Sequence, residues 1–310
     1  MYKSPGYSAA SGRKGSSIVE AMEILGEQGR WRKFDAVMKR VMEKMADPDV
    51  SILVTFEAIV ASYYRCEFAK AAELLQKAFD LIPQTKCPIE HQAHTLYTMS
   101  AIKRREGKHQ ESDHAIHLAM QVIRHVEPGR NAGEVFYNCA CLLAQVNSGS
   151  TKRDNKTFID AKQNFLLAID HFQRGIQGRV YTVSCGNKLR KAFIRLAMLL
   201  LDCSVDAKNV GRPISEDDLR MAANCLTKVE SDLWEGITLR ARCFWLMATA
   251  VLSYRLQQFS RATDCARTAY DIATSLAFQP EVQFAHNLMT MLSYATHTPQ
   301  PGQEFLTLEY

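Results

Sequence analysis

Apolar positions along the chain recur every three or four residues. Ala71, Leu74, Leu75, Ala78 and Leu81 make one stripe, Phe158, Ala161, Phe165, Ala168 and Phe172 a second, and Ala262, Ala266, Ala269 and Ile272 a third. This is the 3.6-residue period of an amphipathic helix, not the alternation of a strand. No Asn-Gly turn joins two alternating runs, so no strand is expected. Pro48, Pro83, Pro88 and Pro128 fall where the periodicity lapses, and no proline lies between Pro128 and Pro213. Taken in order, these marks predict thirteen helices, at about 16–28, 32–45, 51–65, 68–82, 89–106, 109–126, 132–146, 157–175, 181–203, 215–230, 234–257, 260–277 and 280–296. Ser215 before Glu216, Asp217 and Asp218 is an N-cap signal, and Pro280 suits a first helical turn. Residues 1–15 and 297–310 read as tails, and the polar stretch from Asn147 to Lys156 as a mobile loop.

The small residues say more than the period does. In FAKAAELLQKAFDLIP, Ala71 and Ala78 lie two turns apart with Leu75 between them and Pro83 closing the segment. Alanine on an apolar face lets a neighbouring helix come very close. Related spacings recur at Phe34, Met38 and Val41, at Ser112, Ile116 and Ala119, at Ala161, Phe165 and Ala168, at Ala222, Leu226 and Val229, and at Ala262, Ala266 and Ala269. Each follows another predicted helix after a short turn, and equivalent positions are about 37 to 61 residues apart. The pattern resembles the tetratricopeptide repeat, a helix–turn–helix unit of about 34 residues. The resemblance spans most of residues 16–296 and is closest at 51–83, 158–175 and 234–277. Two features depart from it: no first helix keeps the family's tryptophan, and Phe34 stands where a small residue belongs.

The resemblance implies an all-α fold, a right-handed solenoid of about six repeats with a C-terminal capping helix, over residues 16–296. It also implies a concave surface, lined by the first helix of each pair, that binds a peptide or helix of a partner protein. By register the groove residues are Tyr64, Tyr97, Arg104 and Arg105, then Tyr137 and Asn138, then Lys191, Arg195 and Tyr254. Phe56, Val60, Tyr63, Phe244, Met247 and Arg255 share that register. Tyrosine and arginine are the residues in which interfaces concentrate their energy. Chaperone-binding members of the family hold a terminal carboxylate with a lysine–asparagine–arginine clamp. The matching positions here are Val19, Glu23, Glu57, His94 and Thr98, and two glutamates would repel that ligand.

Composition narrows the picture only slightly. The 310 residues are 47% hydrophobic and 23% charged, as in a folded domain, and the net charge of +5 permits an acidic partner without demanding nucleic acid. Nine scattered cysteines without a C-x-x-C pair predict free thiols and a cytoplasmic setting. The longest apolar stretch, Phe244 to Tyr254, is too short to span a membrane.

Two basic runs suggest an alternative partner. Lys103 to Lys108 ends one first helix, and Lys188, Lys191 and Arg195 share a face of another. With Arg240 and Arg242 they form a basic face for an acidic peptide or, as a further reading, for RNA. A third reading is a ligand-sensing region of a larger signalling or innate-immune protein, which repeats of this kind often supply. No nucleotide-binding or zincin motif occurs, and the segment Ser148 to Lys152 lacks the spacing of a phosphate loop. Cys87, Glu90, His91 and His94 are the best metal-like cluster but offer no evident fourth ligand. The expectation is a non-catalytic module without cofactor or metal.

Overall fold

The computed structural model describes residues 9–44, 47–149, 153–179, 181–203 and 209–297. Within them the chain is all-helical, with thirteen α-helices and no strand. These are α1 (Ala9–Glu27), α2 (Trp31–Lys44), α3 (Pro48–Tyr64), α4 (Phe68–Leu81), α5 (Pro88–Arg105), α6 (His109–Val122) and α7 (Arg130–Gly149). They continue as α8 (Asn155–Gln177), α9 (Thr182–Leu200), α10 (Glu216–Asp232), α11 (Leu239–Arg255), α12 (Phe259–Ser275) and α13 (Gln279–His297). None is long and apolar enough to cross a membrane.

The ends of these helices follow local chemistry. Ser215 caps α10 by accepting from the Asp218 amide (3.1 Å). α11 begins five residues later than the spacing predicts, because Gly236 takes a left-handed φ of +74° and Thr238 caps the helix through the Ala241 amide (3.3 Å). α4 and α6 each tighten into a 3₁₀ turn, Ile82–Gln84 and Ile123–His125, the first of them carrying Pro83. α1 starts at Ala9, inside the stretch read as a tail, whereas 298–310 lie outside the described residues. The polar stretch after Asn147 is tied down where it is described: α7 runs on to Gly149, and the Asn147 side chain accepts from the Asp154 amide (2.9 Å).

One turn recurs between helices. Gly29, Cys66, Gly107 and Gln257 all have φ between +60° and +76°, and each stands two residues before the next helix. In each case the amide just after it reaches back five residues, as Glu67 N–H does to the Ser62 carbonyl (2.9 Å) and Gln258 N–H to Ser253 (2.8 Å). This is the Schellman closure, which satisfies the last carbonyls of one helix and reverses the chain at once. Each pair of helices it joins is therefore tightly antiparallel.

Close packing follows from the alanine stripes. Ala71, Ala78, Ala115, Ala119, Ala161, Ala168, Ala262, Ala266 and Ala269 are all fully buried. At Gly133 of α7 even an alanine would fail, since an added Cβ would sit 2.6 Å from the Phe172 ring. Every odd-numbered helix from α1 to α11 packs on the even one after it and on the next odd one, so α1, α3, α5, α7, α9, α11 and α13 form an unbroken series of neighbours. The series also turns back on itself: α1 touches α9 and α11. Trp31, at the start of α2, donates to the Leu276 carbonyl (3.3 Å) and meets Phe278 edge-on. The inward faces of the odd-numbered helices therefore enclose space.

Candidate functional site

That space is a cavity of about 710 Å³, walled mainly by α1, α3, α5, α7, α9, α11 and α13. Its lining combines apolar side chains with many charged ones. Glu23, Glu27, Glu57, Glu134, Arg130, Lys191, Arg240 and Glu281 are all buried. Buried charges persist only when paired and hydrogen-bonded, so the pairings define the site.

The first cluster is centred on Arg130, at the start of α7. Its Nε donates to Ser184 Oγ (2.8 Å) and its Nη2 to Glu57 (3.4 Å), with Glu23 at 3.9 Å. Ser184 donates in turn to Glu23 (2.5 Å). Burial, reinforced by the Glu23 carboxylate, pushes the Glu57 carboxyl up to about 7 even against the pull of Arg130. Lys188 pairs with Glu134, whose other oxygen accepts from Asn138 (3.3 Å).

The second cluster is centred on Glu27, at the end of α1. It accepts from Lys191 of α9, from Tyr64 (2.6 Å) and from Thr238 (3.3 Å), with Arg240 at 3.6 Å. Burial alone would raise this carboxyl, but Lys191 and Arg240 outweigh it and hold the group at about 2. Arg240 bonds Glu281 of α13 (2.6 Å) and lies 3.8 Å over the Tyr64 ring. Glu27 therefore ties α1 to α9 and α11. Glu20 adds to the tie by accepting from the Val183 and Ser184 amides at the start of α9 (3.0 and 3.2 Å).

Eight of the nine groove residues expected from sequence line this cavity: Tyr64, Tyr97, Arg104, Arg105, Tyr137, Asn138, Lys191 and Arg195. Tyr254 does not, and packs instead against Phe259 at the turn into α12 (5.9 Å). Several of the eight are committed to the fold. Tyr97 is buried and stacks on His94 (4.7 Å), which stacks on Phe56 (3.7 Å). Lys191 is sequestered by Glu27.

The basic face expected of Lys188, Lys191, Arg195, Arg240 and Arg242 is not an exposed face. Lys188, Lys191 and Arg240 are neutralised by carboxylates inside the molecule, which leaves Arg242, over Trp234 (5.8 Å), as the exposed member. The run from Lys103 to Lys108 divides likewise: Lys103 pairs with Glu111 (2.9 Å) and Lys108 with Glu106 (2.9 Å), while Arg104 and Arg105 face the cavity.

Cys87, Glu90, His91 and His94 do not converge, and among the described residues no three His, Cys, Asp or Glu side chains could hold a metal ion. His91 instead sits 3.9 Å from Asp49, and burial pushes it down to about 4, so it is neutral at pH 7. All nine cysteines are free thiols.

Sequence reasoning missed Glu27, Arg130, Glu134 and Glu281. Glu27 and Lys191 are 164 residues apart, and no local pattern joins them. Arg130 follows Pro128 and Gly129, so it reads as a loop residue. A charge on the apolar stripe of a helix is the one signal that was available, and it was legible at Glu57. No family model matches the sequence, and neither does any curated protein.

Proposed function

We propose that the chain is a non-catalytic interaction module of the tetratricopeptide type, a right-handed solenoid of about six helix–turn–helix repeats in which α13 is the cap. Its interior cavity holds a segment of a partner protein. One observation carries the reading: aromatic and basic side chains from four successive odd-numbered helices, α3 to α9, converge on a single cavity of about 710 Å³. The repeated Schellman turn and the alanine stripes support the repeat assignment. A cavity of this size takes a few residues of an extended chain, with tyrosine rings and guanidinium groups as anchors.

Ala101 lines the cavity and is half-buried, so Ala101→Trp fills the space without removing a charge. In selection of a displayed peptide library on the purified protein, a shared motif is expected, bound by wild type and lost by at least tenfold in Ala101→Trp. Failure to enrich any motif, or equal binding by the tryptophan variant, would refute the assignment.

The ligand-sensing reading draws on a different observation. α1 closes on α9 and α11 chiefly through the carboxylates of Glu20, Glu23 and Glu27. A ligand that competed for their partners would loosen that closure. Small-angle scattering with and without the selected peptide separates the two readings: a change in radius of gyration favours the sensor, and an unchanged radius the static scaffold.

A further inference from the structure

The charges on the cavity wall do not cancel evenly. Arg130, Lys188, Lys191 and Arg240 all have carboxylate partners. Arg104, Arg105 and Arg195 line the same cavity, and among the described residues no carboxylate forms an ion pair with any of them. Asp202, the remaining acid on the wall, is engaged by Arg212 (3.4 Å).

What two of these guanidinium groups touch holds them in place without neutralising them. Arg105 donates to the Tyr63 hydroxyl (3.2 Å) and lies 4.9 Å from its ring centre. Arg195 lies 3.9 Å over the Phe244 ring and reaches the Met198 sulfur (3.8 Å). Arg104 keeps its Nε buried with no hydrogen-bond partner. Stacking on an aromatic face fixes the plane of a guanidinium and leaves its forked N–H groups pointing outward, the arrangement that grips a carboxylate or phosphate with two bonds.

A structural explanation covers only part of this. Arg104 and Arg105 stand in the last turn of α5, where the helix dipole favours a cation. Arg195 does not, since no basic residue occupies the last turn of α9. Removing a half-buried cation from water costs free energy that a paired carboxylate would offset, and no such pair is made here. Half-buried charge without an acidic partner on a cavity wall marks a place where charge is used.

We propose that Arg104, Arg105 and Arg195 form a binding site for the oxyanion group of the cavity's ligand, a carboxylate cluster or a phosphate carrying at least two negative charges. This rests on the reading of the cavity as the binding site, and it defines which segment of a partner is taken: an acidic or phosphorylated one.

Isothermal titration calorimetry at fixed ionic strength tests it with two probes, the tricarboxylate tricarballylate and inorganic pyrophosphate. Saturable one-site binding to wild type is expected, with the tighter probe identifying the carboxylate or the phosphate source. Arg104→Gln with Arg105→Gln, and separately Arg195→Gln, should each weaken it by about tenfold or more. Arg220→Gln, which removes an exposed arginine paired with Asp217, should leave it unchanged. Circular dichroism of the three cavity substitutions should match wild type, so that a loss of binding is not a loss of fold. No binding of either probe by wild type, or equal binding by all variants, would overturn the assignment. A neutral peptide held equally by wild type and the double variant would overturn the oxyanion site while leaving the binding module intact. Anion binding in a protein that selects no peptide would do the reverse.

Discussion

At the scale of single residues, the left-handed turn between helices gives the cleanest test of the local account. Gly107 has φ of +76° and open space around its missing Cβ, so Gly107→Ala is opposed by backbone conformation alone. It should cost about 1–2 kcal/mol. Gln257 occupies the same conformation (φ +60°) with a Cβ, so Gln257→Gly should stabilise by about 0.5–1 kcal/mol. Paired urea titrations check both, and equal signs would show that the two turns are not equivalent. Ala71, fully buried on α4, is the corresponding test of packing: Ala71→Leu should destabilise by about 1–3 kcal/mol through overpacking. A midpoint unmoved by that substitution would contradict the close approach of α4 to its neighbours.

At the scale of elements, α1 decides whether the series of helices closes. Glu27→Gln leaves Lys191 and Arg240 buried with one shared partner removed, which should cost about 3–5 kcal/mol in a denaturant titration. Lys191→Met added to that variant should cost less than Lys191→Met alone, because the charge it removes has already lost its partner. The same carboxylates give stability a pH signature. The Glu27 carboxyl is held at about 2 against an ordinary 4.5, so its contribution is present above pH 4.5 and is lost as pH falls toward 2. Glu57 is pushed the other way, to about 7, so its contribution is complete below pH 4.5 and is lost as pH rises through 7. Between pH 5 and 8 the melting temperature should therefore fall in wild type and fall less in Glu57→Gln. A flat profile shared by both proteins would show that Glu57 ionises freely.

At the scale of the whole molecule, the helices were legible in the sequence and the cavity was legible only in part. The 3.6-residue stripes and the prolines located all thirteen helices, because each depends on residues within a turn or two of one another. The start of α11 escaped because it turns on Gly236 and Thr238 rather than on apolar spacing. Inward register expects Arg104, Arg105, Tyr137 and Arg195 on the side where the cavity lies, and they line it, since register follows from the helix period. It could not foresee that Lys188 and Lys191 are consumed by Glu134 and Glu27, because those partners come from elements far away in the chain. Tyr254 shares the same periodic register, yet it is drawn to Phe259 across the next turn.

The central claim is that ligand is held inside the molecule, on the inward faces of the odd-numbered helices. Hydrogen-exchange mass spectrometry with the selected peptide, or with the tighter of the two anion probes, tests it most directly. Added protection is expected at 59–64 in α3, 97–105 in α5 and 191–199 in α9, with no change in α4, α6 or α12. Protection confined to the even-numbered helices would place the site on the outside and contradict it.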